Sequence, residues 1–199
     1  MTLRRGAGWF RGNPASFVLA LAIAGVSQSS ATPPQDHEAK TRAAILRASI
    51  VLKIAGYLSV DAPPSAKPPE KYRIAVVGTD EVAAAITAHL PGKKVGATPV
   101  VVVELRPADA AEGKGLGSYD LIYVAASVDE EQAKKIVAAH SRAPVPLVCE
   151  RAGFAAAGGT VQLFVQDNGV RFEVNLDALK KQGVRADPQL LKLSKKGPS

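Results

Sequence analysis

The chain has 199 residues, of which 47% are hydrophobic and 22% charged, close to the average for globular proteins. This length suffices for one well-packed core and argues against several domains. The single cysteine, Cys149, excludes an intramolecular disulfide and a cysteine-based metal cluster. The apolar run around Cys149 predicts a buried strand residue, with an intermolecular disulfide or a redox-sensitive thiol as the alternative.

The N-terminal segment, residues 1–31, is predicted to be a signal peptide. Arg4, Arg5 and Arg11 precede an uncharged apolar run at 17–26, and small residues at the end of the segment suit cleavage. This run has ten residues, whereas a membrane-spanning helix needs about 20, so a retained anchor is the less favoured alternative. Removing the segment takes three arginines away and lowers the formal charge from +7 to +4. We therefore expect an exported protein.

Residues 32–71 are predicted to form one helix followed by a loop. Apolar residues recur at three- and four-residue spacing from Glu38 to Leu58, which predicts a helix with one side facing the core. Four prolines between Asp61 and Lys71 remove backbone donors and disfavour helix in the residues before them. This second segment is therefore predicted to be a loop.

Residues 72–199 are predicted to form an α/β domain continuous with the first helix, so that one domain spans 38–195. The predicted strands are 73–77, 100–105, 121–125 and 145–149, with helices at 80–90 and 129–140 and a loop at 107–118. Continuous apolar strands that alternate with helices are typical of a mostly parallel sheet with helices on both faces. We therefore predict a Rossmann-like layered fold.

The last third of the chain has a different pattern. Residues 160–166 and 170–176 alternate apolar and polar residues around an Asp-Asn-Gly turn at 167–169. This pattern predicts an antiparallel hairpin with one buried face. A short helix follows, and then a final helix at 187–193, where Asp-Pro supplies the N-cap and the first helical residue.

Basic residues are concentrated near the C-terminus. They are Lys180, Lys181, Arg185, Lys192, Lys195 and Lys196. We interpret them as a solvated surface, with a patch for phosphate or an acidic partner as the alternative. Aromatic residues that could stack on bases are not interleaved with them, so nucleic-acid binding is not expected.

The residues do not predict an assembled active site. The turn at Gly78 resembles a dinucleotide-binding turn, but Asp80 replaces a required glycine and would set a carboxylate against a pyrophosphate. We interpret it as a capped turn. One alternative is a site for a small ligand or phosphate at this sheet edge, built from Gly78, Thr79 and the loop after Ala125. A further alternative is an enzyme whose titratable cluster is assembled from distant positions.

The three histidines are His37, His89 and His140. None has a second ligand at a recognisable metal-binding spacing, so we expect neither a metal nor a cofactor. His89 and His140 each end a predicted helix, where the helix dipole favours a partly positive imidazole. A structural role therefore explains both.

Several motifs of the predicted domain occur together in one known family. They are the glycine pair at 158–159, Phe-Glu-Val-Asn-Leu at 172–176, the leucine pair at 190–191, RIAVVG at 73–78, GKKVG at 92–96 and YDLIYVAAS at 119–127. In their content and order these motifs resemble the YfiR-like family. The resemblance covers nearly all of the predicted mature chain.

The resemblance implies a non-enzymatic periplasmic protein that acts in cyclic di-GMP signalling. Such a protein restrains a membrane-bound diguanylate cyclase by binding its exported sensory portion. Other relatives accompany sensor kinases or outer-membrane receptors, so a sensor kinase is an alternative partner. Dimerisation is suggested by the resemblance alone.

Exposed apolar residues on the first or the final helix are the expected contacts with a partner. The candidates are Tyr57, Leu190 and Leu193, with core packing as the alternative for the two leucines. The first helix of the family is rich in aromatics and ends near a Trp-Pro pair, whereas Tyr57 is the only aromatic here. We therefore expect the contact surface to differ from that of its relatives.

Overall fold

A computed structural model describes residues 34–60, 69–115 and 117–197, with side chains from residue 36 onward. The predicted signal peptide and most of the proline-rich loop lie outside these residues.

The described part of the chain alternates helices and strands. The helices are α1 (Pro34–Tyr57), α2 (Glu81–His89), α3 (Pro107–Ala111), α4 (Glu130–His140), α5 (Leu176–Gln182) and α6 (Pro188–Leu193). The strands are β1 (Leu58–Val60), β2 (Tyr72–Val77), β3 (Lys94–Val95), β4 (Thr98–Leu105), β5 (Leu121–Val124), β6 (Leu147–Cys149), β7 (Val161–Gln166), β8 (Gly169–Val174) and β9 (Val184–Ala186).

The main sheet has seven strands in the order β3-β4-β2-β5-β6-β7-β8. Its central strands from β4 to β7 are parallel, and β3 and β8 are antiparallel to their neighbours. The chain passes from β2 to β4 on one side and then crosses to β5 on the other. Right-handed crossovers therefore place α2 on one face and α3 and α4 on the opposite face. Helix α1 packs on α2, and α3 on α4, which confirms the layered α/β fold.

The predicted strand-helix repeats are confirmed, and their local causes are visible. All four residues of β5 and all three of β6 are buried, which explains their uninterrupted apolar sequence. Asp80 and Asp129 cap α2 and α4, since their side chains accept hydrogen bonds from Ala83 N and Gln132 N. The predicted helix starts therefore follow from residues that satisfy exposed backbone donors.

The C-terminal hairpin is present, but its details differ from the prediction. Its turn residues are Asp167 and Asn168, both with positive φ, and Gln166 pairs with Gly169. Two residues with positive φ define a type I′ turn, whose twist matches the strands. The predicted division into a buried and a wet face is wrong near the tip, where Val165 is 65% exposed.

The structure contains four elements that the sequence analysis did not predict. Helix α3 lies in the segment predicted to be a loop, β3 pairs with the start of β4, and β1 pairs antiparallel with β9 in a separate sheet. The small sheet brings the end of α1 beside the start of α6, where Asp187 N donates a hydrogen bond to Tyr57 O at 2.9 Å. Two segments far apart in sequence thus form one surface.

Candidate functional site

The carboxyl ends of the parallel strands meet beside Gly78. The sequence analysis gave a site for a small ligand or phosphate at this edge of the sheet as an alternative. Strand order reverses between β2 and β5 at this point, and open parallel sheets commonly bind ligands at such a reversal. Gly78 has a φ of 79°, and a Cβ on it would lie 2.6 Å from Cγ2 of Val128. Glycine therefore allows the turn after β2 to approach the turn after β5.

The carboxylate of Asp80 fills the crevice between these two turns. Its Oδ1 accepts a hydrogen bond from Ala83 N, and its Oδ2 accepts one from Ala126 N, each at 2.7 Å. The hydroxyl of Tyr123 also donates to Oδ2 at 3.3 Å. Asp80 thus caps its own helix and joins the two turns. Backbone donors that could hold a phosphate in such a crevice are bound instead to a carboxylate of the protein.

A shallow cavity of about 360 Å³ remains beside Gly78 and Thr79. The charged residues that line it, Asp80 and Glu104, are acidic and repel a phosphate. The N–H of Thr79 donates to Ser127 Oγ at 3.3 Å. The geometry therefore agrees with a capped turn and does not favour a phosphate site at Gly78 and Thr79.

Two arginines also bond to groups at the carboxyl end of the sheet. Nη2 of Arg151 donates hydrogen bonds to the carbonyl oxygens of Ala126 and Val128. Arg47 of α1 forms an ion pair with Glu150 at 2.8 Å, and the two side chains are 21% and 16% exposed. Burial raises the pKa of Glu150, and the charge of Arg47 opposes that rise. The first helix is thereby tied to the end of β6.

Burial keeps two titratable groups beside this crevice, Cys149 and Tyr123, in their neutral forms. Burial raises the pKa of Cys149 to about 11, and burial followed by the charge of Asp80 raises the pKa of Tyr123 well above its usual range. Cys149 is fully buried in β6, as predicted. At neutral pH both groups are protonated, which suits packing and hydrogen bonding rather than nucleophilic attack.

His140 corrects one prediction from the sequence. The residue ends α4 as expected, but it is 0% exposed, and its Nδ1 lies 2.9 Å from Ile136 O. Burial lowers the pKa of His140. A partly positive imidazole is therefore wrong for His140, because the loss of solvation outweighs the helix dipole. Among the described residues, no three His, Cys, Asp or Glu side chains are grouped so that they could hold a metal ion.

A buried polar network lies at the C-terminal end of α4, and the sequence analysis missed it. Leu147 N donates to Thr160 Oγ1, Thr160 Oγ1 donates to Gln182 Oε1, and Gln182 Nε2 donates to His140 O. These bonds link β6, the start of β7, α5 and α4. An isolated threonine or glutamine does not reveal in the sequence that it is buried.

The three residues predicted to contact a partner occupy different environments. Leu193 is 60% exposed, Tyr57 is half-buried, and Leu190 is 1% exposed in the core. Leu190 faces the core from α6. It therefore packs in the core, which was the alternative to a partner contact. The bond from Asp187 N to Tyr57 O places the ends of the two predicted contact helices side by side.

The amino ends of the parallel strands surround a cavity of about 380 Å³ near this surface. Its apolar lining is Leu58, Val60, Pro69, Tyr72, Val95, Pro146 and Val184, and Asp120, Ser59 and Thr98 supply polar groups. The hydroxyl of Tyr72 donates to Asp120 O at 3.3 Å. This cavity is similar in volume to the one beside Gly78, but Asp120 supplies the charge in its lining, whereas Asp80 and Glu104 line the other.

Fold and site together define a layered α/β domain whose carboxyl-end crevice is closed by its own side chains. The chain belongs to the YfiR/HmsC-like family, whose model matches residues 44–195. This is a family of periplasmic regulators that interact with membrane signalling proteins, so the resemblance seen in the sequence is confirmed. In the part of the chain that the structure describes, no helix is long and apolar enough to cross a membrane.

The solved structures that the chain resembles are distant in sequence. A conserved domain protein of Vibrio cholerae matches with a TM-score of 0.52 and 12% identity, over 76% of this chain and 59% of that chain. The chain thus spans about three fifths of the length of that protein. An ABC domain of Streptococcus pneumoniae in complex with L-Trp matches with a TM-score of 0.46 and 10% identity, over 62% and 54%. The Vibrio likeness concerns the fold alone. No curated protein matches the chain by sequence.

Proposed function

We propose that the protein restrains a membrane-bound signalling protein by binding its exported portion, and that it does so without catalysing a reaction. A diguanylate cyclase is the first candidate partner, and a sensor kinase is the second. The observation that carries this proposal is membership of a family of periplasmic regulators over residues 44–195. A signal peptide at 1–31, removed on export, would deliver a single domain at 38–195 to the periplasm.

The structure supports a contact surface at the amino end of the sheet, which we call the amino-end surface. It consists of Tyr57 and Val60, at and just after the end of α1, and of Leu191 and Leu193 on α6, whose N-cap Asp187 bonds to Tyr57 O. Val60 is 43% exposed, Leu191 37% and Leu193 60%. Covering the exposed part of one such leucine would contribute about 0.5–2 kcal/mol, and interface energy is usually concentrated in a few apolar anchors. This surface therefore has the composition that a protein partner requires.

Charge indicates the character of the partner's surface. Lys192, Lys195 and Lys196 are exposed on and just beyond α6. Complementary charges around an apolar contact speed association and select the orientation. We therefore expect acidic residues on the partner, around the apolar side chains that meet Leu191 and Leu193.

The environment of the carboxyl end supports the absence of catalysis. Asp80, Glu150, Tyr123 and Arg151 all bond to other groups of the protein there. Catalytic acids and bases need access to a substrate and a pKa near the working pH. The groups here stabilise the turns instead.

The test is direct binding of the protein recovered from the periplasm to the purified exported portions of the host's diguanylate cyclases and sensor kinases. We expect one of them to bind, and the matching full-length cyclase or kinase to lose activity in membranes. Leu193→Asp should weaken binding at least about tenfold, since it places a charge in an apolar contact.

Leu46→Asp is the matched control. Leu46 is a leucine of similar exposure, 55%, and lies about 16 Å before Tyr57 along α1. Binding should be unchanged in this variant. A folded protein that binds none of these portions, or equal losses in both variants, would contradict the proposal.

The proposed signal peptide has its own test. The protein recovered from the periplasm should begin at Thr32, as measured by intact mass and N-terminal sequencing. An uncleaved start would favour the retained anchor.

A further inference from the structure

A further cavity of the carboxyl end lies between α4 and the turn that follows β6. Its volume is about 280 Å³. One wall is a face of α4, formed by residues three or four positions apart, namely Glu130, Ala133, Lys134 and Val137. Residues 151–154 and Ala157 form the other wall. None of these residues lines the cavity beside Gly78, so the two cavities are distinct.

The guanidinium of Arg151 brings a positive charge to this cavity. Among the described residues, Arg151 forms no ion pair with a carboxylate. The side chain is half-buried, and its Nη2 is held by the carbonyl oxygens of Ala126 and Val128. Its Nε is buried without a hydrogen-bond partner in the same part of the chain. A partly buried cation without a counter-ion is costly, so Arg151 attracts an anion to the cavity that it lines.

The turn after Arg151 supplies two further donors. Phe154 N donates to Arg151 O at 3.2 Å, and Gly153 has a φ of 73°, as the third residue of a type II turn requires. The N–H groups of Ala152 and Gly153 have no hydrogen-bond partner within the described ranges. Backbone N–H groups that lie beside a cationic side chain commonly hold anions. This wall of the cavity therefore has the donors of an anion site.

The charges around the cavity limit the charge of that anion. Two basic residues, Lys134 and Arg151, and one acidic residue, Glu130, line it. Lys134 pairs with Glu130 at 2.8 Å; this bond, and more weakly the charge of Arg151, lowers the pKa of Glu130. Glu130 therefore stays ionised at neutral pH. A single negative charge balances the remaining positive one, whereas a doubly charged anion is disfavoured.

The floor of the cavity is apolar. It consists of Ala133, Val137 and Phe154, which are all buried. The ring of Phe154 is fixed, because it packs against Gly159 where a Cβ would not fit. Small-molecule sites usually have volumes of about 300–1,000 Å³, so this cavity suits a small ligand with a compact apolar part.

We propose that this cavity binds a singly charged carboxylate that carries a small apolar group. The carboxylate meets the guanidinium of Arg151 and the two unpaired N–H groups of the turn, and Lys134 approaches it from the rim. The apolar group packs on Val137 and Phe154. Such a carboxylate belongs either to a free small acid or to the C-terminus of a peptide. The site lies away from the amino-end surface and stands independently of the proposed regulatory function.

Isothermal titration calorimetry of the protein recovered from the periplasm tests the chemistry. Phenylacetate, which has one carboxylate and a small ring, should bind. Phenylacetamide has the same shape without the charge, and inorganic phosphate has charge without the ring. Each should bind at least about tenfold more weakly than phenylacetate.

A further probe distinguishes the two sources of the carboxylate. N-acetylalanylphenylalanine is a short peptide with a free C-terminal carboxylate. Tighter binding than that of phenylacetate would assign the site to a peptide C-terminus, and weaker binding would assign it to a free acid.

Substitutions locate the binding in this cavity. Ala157→Leu fills the cavity and should weaken phenylacetate binding at least about tenfold. Ala156→Leu is the matched control, because Ala156 is exposed in the same turn but does not line the cavity. Lys134→Met removes a positive charge from the rim and should weaken binding about fivefold. Lys135→Met removes the same charge from an exposed neighbour outside the cavity and should have no effect.

Three results would overturn the proposal. The first is that neither phenylacetate nor the peptide binds the unaltered protein. The second is that phenylacetamide binds as tightly as phenylacetate. The third is that a folded Ala157→Leu variant, with the urea midpoint of the Ala156→Leu control, binds phenylacetate like the unaltered protein.

Discussion

The two ends of the parallel strands differ in their side chains. Polar groups bond to one another at the carboxyl end, whereas apolar side chains are exposed at the amino end. At the carboxyl end, Asp80 and Arg151 bond to the turns that meet there, and Arg47 neutralises Glu150. At the amino end, Leu191 and Leu193 remain exposed on α6, and a mostly apolar cavity lies among the starts of the parallel strands. Ligands of open parallel sheets usually bind at the carboxyl end. In this protein the carboxylate of Asp80 fills the crevice between the turns after β2 and β5, so the position of the crevice in the fold is not by itself evidence for a ligand site.

The largest expected effect comes from opening the closed end at its tightest contact. Gly78→Ala adds a Cβ 2.6 Å from Val128 Cγ2 at a φ of 79°. Left-handed strain costs about 1–2 kcal/mol and overpacking about 1–3, so the free energy of unfolding should fall by about 4 kcal/mol. Gly92 has nearly the same φ, 77°, and a Cβ there would have nothing within 4 Å. Gly92→Ala should therefore lower the free energy of unfolding only by the cost of the left-handed strain. Urea unfolding compares them, and equal losses would show that the two turns are not tightly packed.

A second comparison concerns two leucines of α6 at the amino end. Leu190→Ala empties a core position and should reduce the free energy of unfolding by about 3 kcal/mol. Leu193→Ala removes an exposed side chain and should change it by less than about 0.5 kcal/mol. Thermal or urea unfolding gives both values. A large loss in the Leu193 variant would mean that this residue stabilises the fold rather than serving as a contact.

The ion pair at the closed end should have a smaller effect, with a pH dependence. Arg47→Met leaves the carboxylate of Glu150 half-desolvated and unpaired, which should cost about 2 kcal/mol near pH 7. Because burial already raises the pKa of Glu150 above 4.5, the folded state binds its proton more readily than the unfolded state. Stability is therefore lost as pH rises through the folded pKa, and the cost of Arg47→Met should shrink as pH is lowered.

Arg42→Met is the control for that measurement. Arg42 pairs with Glu38 on the same helix, but the two side chains are 80% and 68% exposed. Exposed pairs contribute little, so the change should be below about 0.5 kcal/mol at either pH. Equal effects at Arg42 and Arg47 would mean that the partial burial of Glu150 is unimportant.

The smallest effect should come from the side chain of His140, whose backbone oxygen belongs to the buried polar network near the amino end. The pKa of His140 is lowered by burial, so the unfolded state takes up a proton more readily between the folded pKa and 6.5. Stability should be fully present above pH 6.5 and should fall below it, by at most about 1.4 kcal/mol per pH unit. His140→Gln removes the ionisable group and should flatten that slope in urea midpoints measured from pH 7 to 5. An unchanged slope would assign the acid sensitivity to other groups.

Features set by neighbouring residues were predictable, and features set by distant contacts were not. Asp80 and Asp129 identify the starts of their helices because a cap needs only a side chain and the next few N–H groups. The second role of Asp80 depends on the backbone N–H of Ala126, a donor that every residue type except proline supplies. Its use therefore leaves no signal in the sequence.

The amino end of the sheet also has features that the sequence does not reveal. Strands β1 and β9 have three residues each, too few to show an alternating pattern. The six residues of α6 also provide too few positions to decide that Leu190 faces inward and Leu193 outward. Both features depend on contact between α1 and the C-terminal segment.

The pairing of β1 with β9 also determines when the protein can finish folding. Leu58 leaves the ribosome long before its partner Ala186, so the end of α1 lacks its strand partner until almost the whole domain has been synthesised. Contacts between residues so far apart in sequence form slowly, because closing the long loop between them costs entropy. The small sheet, and with it the amino-end surface, is therefore expected to be among the last parts of the domain to form, after the local contacts of the parallel sheet.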